Sequence, residues 1–226
     1  MRIAMAKYLS PSLPINIGRT FWLEWVLASI IGGSLGWAIF APVYGVTIDV
    51  FGGANEGAAF RAIDGAVTWA IVYACSGMTQ WVLLRHIVPR AGFWVLASIA
   101  GGMTFGIVAE ALFAAQGGTE VGVVAGAASG VVSGVLQWLL LRRRFVQARW
   151  WVPVSLITGS LSASISWMLI APVLQSIGRT EGLTIAWAIC GAVGGALSGI
   201  LTGITLIWLF RARRALVVNS QTTGGR

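Results

Sequence analysis

Few residues of this chain are equipped for chemistry: two glutamines, Gln80 and Gln137, one carboxylate well inside an apolar run, Glu110, and a single histidine, His86. A hydrolase needs a nucleophile beside a base, and a metal centre needs several His, Cys, Asp or Glu at ligand spacing. Neither arrangement is present, nor is an HExxH motif or a P-loop. The sequence therefore points to no catalytic residue and no metal site, and reads as a non-enzyme. His86 follows Arg85 at a helix end and reads as a solvated side chain, while Cys75 and Cys190 lie within apolar runs and read as small apolar fillers.

The glutamines suit other work. In hydrocarbon an amide is satisfied by a neighbouring helix, in a contact worth about 0.6–2 kcal/mol, or it lines a polar pathway. Gln80, Gln137, Thr79 and Ser133 are the residues such a pathway would use. Both glutamines stand five residues before an arginine, Arg85 or Arg142. At 1.5 Å per residue that is about 7–8 Å from the helix end. Glu110 lies about 25 Å along its helix from Phe93 by the same rise, near the opposite interface, where Arg61 or Arg179 would pair with it. Glu24 fits the positive end of the first helix dipole, and Asp64 the capping position of the second helix.

The elements that must carry these residues are set by composition. The chain is 57% hydrophobic and 10% charged, with mean hydropathy +0.84, where a soluble domain carries about a quarter charged residues. Six apolar runs, 21–40, 62–84, 93–115, 121–141, 151–170 and 183–210, are long enough to cross a hydrocarbon core of about 30 Å. They lack the alternation of barrel strands, so the expected class is an all-α membrane protein of six transmembrane helices. Residues 1–20 and 211–226 are expected to flank this domain as a cytoplasmic segment and a basic, flexible tail. No apolar h-region precedes residue 19, so no cleaved signal peptide is expected.

Charge position orients the bundle. Arg2, Lys7, Arg19, Arg85, Arg90, Arg142, Arg143, Arg144, Arg149, Arg211, Arg213, Arg214 and Arg226 all fall on one side, and only Arg61 and Arg179 on the other. The positive-inside rule places both termini in the cytoplasm, and the net charge of +8 reports topology rather than nucleic-acid binding. The expected location is a bacterial inner membrane.

Self-comparison reveals a repeat. Trp25-Val-Leu-Ala-Ser29, Trp94-Val-Leu-Ala-Ser98 and Trp151-Val-Pro-Val-Ser155 open the odd helices. Ser76-Gly77 with Gln80-Trp81, Ser133-Gly134 with Gln137-Trp138, and Thr202-Gly203 with Leu206 close the even ones. Three repeated helical hairpins predict a pseudo-threefold bundle, with 41–61 as its longest outer loop.

The fourth helix carries Gly122, Gly126, Gly130 and Gly134, and the sixth Gly191, Gly195, Gly199 and Gly203. Glycines four apart form a zipper-like packing face, and Gln137 falls in the same sector. The second helix interrupts its ridge with Trp69 and Tyr73. Of twelve tryptophans, Trp22, Trp25, Trp94, Trp150, Trp151, Trp81, Trp138 and Trp208 read as a cytoplasmic aromatic belt. Trp37, Trp69, Trp167 and Trp187, with Tyr73, are candidates to contact a ligand or partner.

The repeated Gly-xx-Gln-Trp-Leu-xx-Leu-Arg-Arg, here Gly134 to Arg143, with the following Trp-Val-Leu-Ala-Ser, resembles a group of six-helix membrane proteins of cyanobacteria and Chloroflexi. The resemblance covers nearly all of 22–209. It implies the six-helix fold and a bacterial membrane address and brings no activity or site residue with it. By association with phototrophic hosts it implies a photosynthetic or electron-transfer setting. The sequence reading therefore expects a non-catalytic accessory subunit packed in lipid against other membrane subunits. Its alternative is a small-solute channel, transporter or substrate-binding membrane component, and a pigment or quinone is the cofactor class the tryptophans would accommodate.

Overall fold

The computed structural model describes residues 18–51, 57–115, 120–177 and 183–223. Expectations resting on Arg179, the flanking 1–17 and the tip of the tail lie outside them. The described residues form seven α-helices: α1 Arg19–Ala38, α2 Phe40–Phe51, α3 Ala58–Leu84, α4 Gly92–Ala114, α5 Glu120–Leu141, α6 Trp151–Ile177 and α7 Leu183–Thr223. A 3-10 turn, Val146–Trp150, leads into α6. All but α2 contain a segment long and apolar enough to cross a membrane.

The six spans match the expected runs, and three boundaries differ. Much of the expected outer loop 41–61 is helical: α2 fills it, with Pro42 in its first turn, where the missing N–H has no intrahelical acceptor to lose. α6 runs through Pro172 to Ile177, and α7 continues past residue 210 to Thr223. Asp64 is not a cap. It lies inside α3, whose N-cap is Gly57, and it is buried.

The spans form a closed ring in the order α1, α3, α4, α5, α6, α7, with α7 returning to α1. The most extensive interfaces are α3 with α4, α5 with α6, and α7 with α1. The first two pairs are joined by the short connectors 85–91 and 142–150, and the third brings the two ends of the span region together. Helices joined across the opposite end, such as α4 and α5, meet over less surface.

Glycine explains the difference. An added Cβ at Gly33 would strike the carbonyl of Gly191, at Gly106 that of Gly65, and at Gly126 that of Gly159. Each extensive interface thus contains a crossing of two bare backbones. Lipid offers no hydrophobic drive for helices to associate, so this close approach and the dispersion it gives hold the pairs together. Leu23, Leu27, Ile31 and Leu35 of α1 stand exposed on the outer surface, as a lipid-facing stripe requires.

Candidate functional site

Three tryptophans close the ring near its connector end. Trp25, Trp94 and Trp151 are 0%, 1% and 1% exposed, with ring centroids 5.9 Å apart for Trp25–Trp94 and 5.4 Å for Trp94–Trp151. The belt reading is corrected for these three: they turn into the bundle, whereas Trp150 and Trp208 are exposed at its surface. Buried indole N–H groups need acceptors. Trp94 Nε1 donates to Gln80 Oε1 at 2.8 Å, Trp151 Nε1 to Gln137 Oε1 at 2.9 Å, and Trp25 Nε1 to Thr202 Oγ1 at 2.9 Å. Gln80 Nε2 also reaches Ser29 Oγ at 3.2 Å, which ties α3 to α1 as well as to α4.

These bonds revise the register of the last helix. Thr202, not Leu206, takes the place of the glutamine. Gly199 meets Val26 and Ser29 as Gly134 meets Val152 and Ser155, and as Gly77 meets Val95 and Ser98. The matching serine is Ser198. A comb of glycines four apart superposes on itself when slid by four, so spacing alone could not choose; the tryptophan partners do. Gly203 then lies beside Trp22 and Trp25, beyond the helix crossing.

Beyond the tryptophans the ring is hollow. A cavity of about 160 Å³ lies along its middle, lined by side chains from all six spans. Ser29, Ser98 and Ser155 come from α1, α4 and α6, and Ser76, Ser133 and Ser198 from α3, α5 and α7. Six helices thus contribute one serine each in matching register, joined by Gln80, Gln137 and Thr202. Among the described residues no Asp, Glu, Lys, Arg or His lines the cavity. Thr79 does not line it either, and donates instead to the carbonyls of Cys75 and Ser76.

An apolar cluster lies toward each end of the cavity. Leu84, Leu141, Phe145, Leu209 and Phe210 pack behind the three tryptophans. At the α2 end Trp37, Trp69 and Phe105 pack together, with Trp69 4.3 Å from Phe105 and 5.4 Å from Trp37 between ring centroids. Phe40, Trp167 and Trp187 are partly buried against them. Trp37 and Trp69 are therefore interior groups rather than an outer docking face. Trp69 and Tyr73, which interrupt the ridge of α3, lie against Gly102 of α4, and Tyr73 extends into the cavity.

Several hydroxyls in the lining are committed to their own helices. Ser98 donates to the Trp94 carbonyl at 3.1 Å, Ser133 to Ser129 at 2.8 Å and Thr202 to Ser198 at 2.6 Å. Two are not: Thr158 Oγ1 and Ser162 Oγ are buried without a hydrogen-bond partner. Sequence reasoning missed this wall because a serine in an apolar helix signals nothing until six helices bring such residues together.

Glu110 is remote from the cavity. Its Cγ lies 2.6 Å from the position a Cβ at Gly65 would take, near the α2 end, and the charges of Asp64 and Arg61 act on it. Burial, then the nearby charges of Glu110 and Asp64, raise the Tyr44 phenol above its ordinary pKa. Thr47 and Thr68 share a 2.9 Å hydrogen bond that attaches α2 to α3. His86 Nε2 accepts from Arg85 Nε at 3.0 Å on the surface, and no group of three or more metal-ligating side chains occurs among the described residues.

A comparison with family models finds no match to this chain, and comparisons with curated proteins and with solved structures find none either.

Proposed function

We propose that this protein carries or conducts a small uncharged polar solute across a bacterial inner membrane. One observation carries the reading: a hydroxyl-lined cavity, with no charged side chain in its lining among the described residues, stands on the ring's central line between two apolar clusters. In a membrane bundle held only for its own stability, small residues close the centre. Here glycines bring neighbouring helices together in pairs while serines and glutamines face the middle, and polar residues at membrane depth mark solute pathways. The lack of a charged side chain disfavours ions, since only hydroxyl and amide dipoles would offset their desolvation.

The repeat supports the same reading. Matching Trp, Ser and Gly positions in three helix pairs suit a pseudo-threefold axis, and a solute path would follow it. The connector end, with Arg85, Arg90, Arg142, Arg143, Arg144 and Arg149, is the cytoplasmic end by the positive-inside rule, and both termini lie on that side. The tryptophan closure is then the inner gate and the Trp37–Trp69–Phe105 cluster the outer one.

Proteoliposomes test the proposal. Stopped-flow light scattering is expected to show protein-dependent entry of glycerol or urea, reduced at least tenfold by Gln80→Leu with Gln137→Leu. Flux equal to that of empty vesicles for every small neutral solute would remove the transport reading. The accessory-subunit reading, with a photosynthetic or electron-transfer complex as partner, would then stand first, and copurification from native membranes in mild detergent would test it.

A further inference from the structure

The α1–α7 pair differs from the other two extensive pairs at the connector end. Residues 85–91 and 142–150 join α3 to α4 and α5 to α6 there, and they add Val88, Ala91, Phe145 and Ala148 to the buried apolar cluster. α1 and α7, the first and last spans, have no connector between them. The tryptophan has also changed sides. Gly203 stands where α3 and α5 carry Trp81 and Trp138, and Trp22 of α1 lies over it, 2.9 Å from the position a Cβ would take. Ile207 stands where Arg85 and Arg142 lie over those tryptophans, 5.7 and 5.0 Å from the ring centroids. The arginine of α7, Arg211, follows one turn later.

The result is a groove of about 450 Å³ between α1 and α7, lined by Arg19, Trp22, Ile204, Ile207, Trp208 and Arg211. It is open to the outer surface: Ile204 is 55% and Trp208 42% exposed, and both arginines are exposed. Arg19 continues, at a spacing of four, the lipid-facing row Leu23, Leu27, Ile31 and Leu35, while Ile204, Trp208 and Arg211 share one face of α7. Each row is thus apolar along the span and cationic at its connector end. Among the described residues neither Arg19 nor Arg211 has a hydrogen bond, an ion pair or a ring beneath it. Gly18, the N-cap of α1, supplies no side-chain acceptor, so the positive end of that helix dipole adds to the field of Arg19. We infer that the groove holds one anionic glycerophospholipid, its phosphate on Arg19 and Arg211 and an acyl chain along Ile204 and Ile207. Guanidinium groups match phosphate bidentately, and basic sites between spans at the cytoplasmic face suit anionic headgroups. A soluble anion would leave the apolar floor unused, and the ammonium of a zwitterionic lipid would be repelled by the arginines.

The lipid site is independent of the transport reading. Native mass spectrometry of the full-length protein, purified in mild detergent and supplied with phosphatidylglycerol and phosphatidylcholine in equal amounts, tests it. The wild type is expected to retain one phosphatidylglycerol at least tenfold more tightly than phosphatidylcholine. Arg19→Gln with Arg211→Gln is expected to lower phosphatidylglycerol affinity at least tenfold and to remove the preference. Ile204→Trp, which fills the groove from an exposed position and keeps both arginines, is expected to weaken binding as well. Arg85→Gln with Arg142→Gln removes the same charge from the same end but outside the groove, and is expected to leave the affinity within twofold. An equal loss in the two arginine pairs reduces the attraction to diffuse charge and overturns the assignment. So does a wild type that retains no phosphatidylglycerol, or an unchanged affinity in the Arg19→Gln, Arg211→Gln protein. A wild-type dimer that this variant separates, visible in the same spectra, gives the groove to a second copy and overturns it too.

Discussion

Where α5 meets α6, glycine stands against glycine; where α4 meets α5, glycine stands against a side chain. The Gly126–Gly159 crossing puts carbonyl against the space of an absent Cβ on both helices, and the pairs Gly33–Gly191 and Gly65–Gly106 repeat it. At the other kind of interface a Cβ at Gly101 would meet Ser133 Cβ at 2.9 Å and one at Gly194 would meet the Ser166 hydroxyl. All three tryptophan hydrogen bonds also span the first kind. The seams are not all alike, however: between α1 and α3 a Cβ at Gly36 would meet the Val72 carbonyl, a backbone contact like those of the crossings.

The largest expected effect is at a crossing. Gly126→Leu must drive the α5 and α6 backbones apart, at a cost of about 3 kcal/mol or more, and is expected to yield aggregated protein by size exclusion. Next comes Gln137→Leu, which leaves the Trp151 indole N–H unpaired and is expected to lower stability by about 1–3 kcal/mol in a detergent unfolding titration. Thr202→Val, at the equivalent bond, leaves the Trp25 indole N–H unpaired but keeps the shape of the side chain, and is expected to cost less than Gln137→Leu.

A seam substitution is expected to be milder still. Gly101→Ala places its Cβ 2.9 Å from Ser133 Cβ and 3.2 Å from the Ser129 carbonyl, looser than at Gly126, and is expected to cost about 1 kcal/mol. Equal losses for Gly101→Ala and Gly126→Ala in thermal unfolding would erase the distinction between crossings and seams. The smallest effect has the opposite sign. Nothing lies within 4 Å of a Cβ at Gly45 in α2, so Gly45→Ala is expected to stabilise by about 0.5–1 kcal/mol through helix propensity, read as a raised midpoint in the same thermal unfolding.

Much of this was legible in the residues. Gly122, Gly126 and Gly130 are a packing face, and Gln80 and Gln137 are both interhelical bonds and cavity lining, as their shared sector suggested. The tryptophans of the Trp-Val-Leu-Ala-Ser openings were not legible as interior groups. An indole near a helix end is satisfied by the membrane interface or by a buried amide, and sequence position fits both. α2 was hidden because Pro42 and Gly45 are turn formers in most settings, while its attachment through Thr47 to Thr68 is a tertiary contact.

Length, hydropathy and the one-sided arginines determined by themselves that six helices are fit to span a membrane and which way they are expected to point, because the bilayer acts on each helix separately. The glycine combs determined which faces approach, because only a missing Cβ allows it. The tertiary structure alone decided the register of α7, the inward turn of Trp25, Trp94 and Trp151, and the hollow that serines of all six spans line. Each depends on which helix stands opposite which, and neither lipid nor local propensity specifies that.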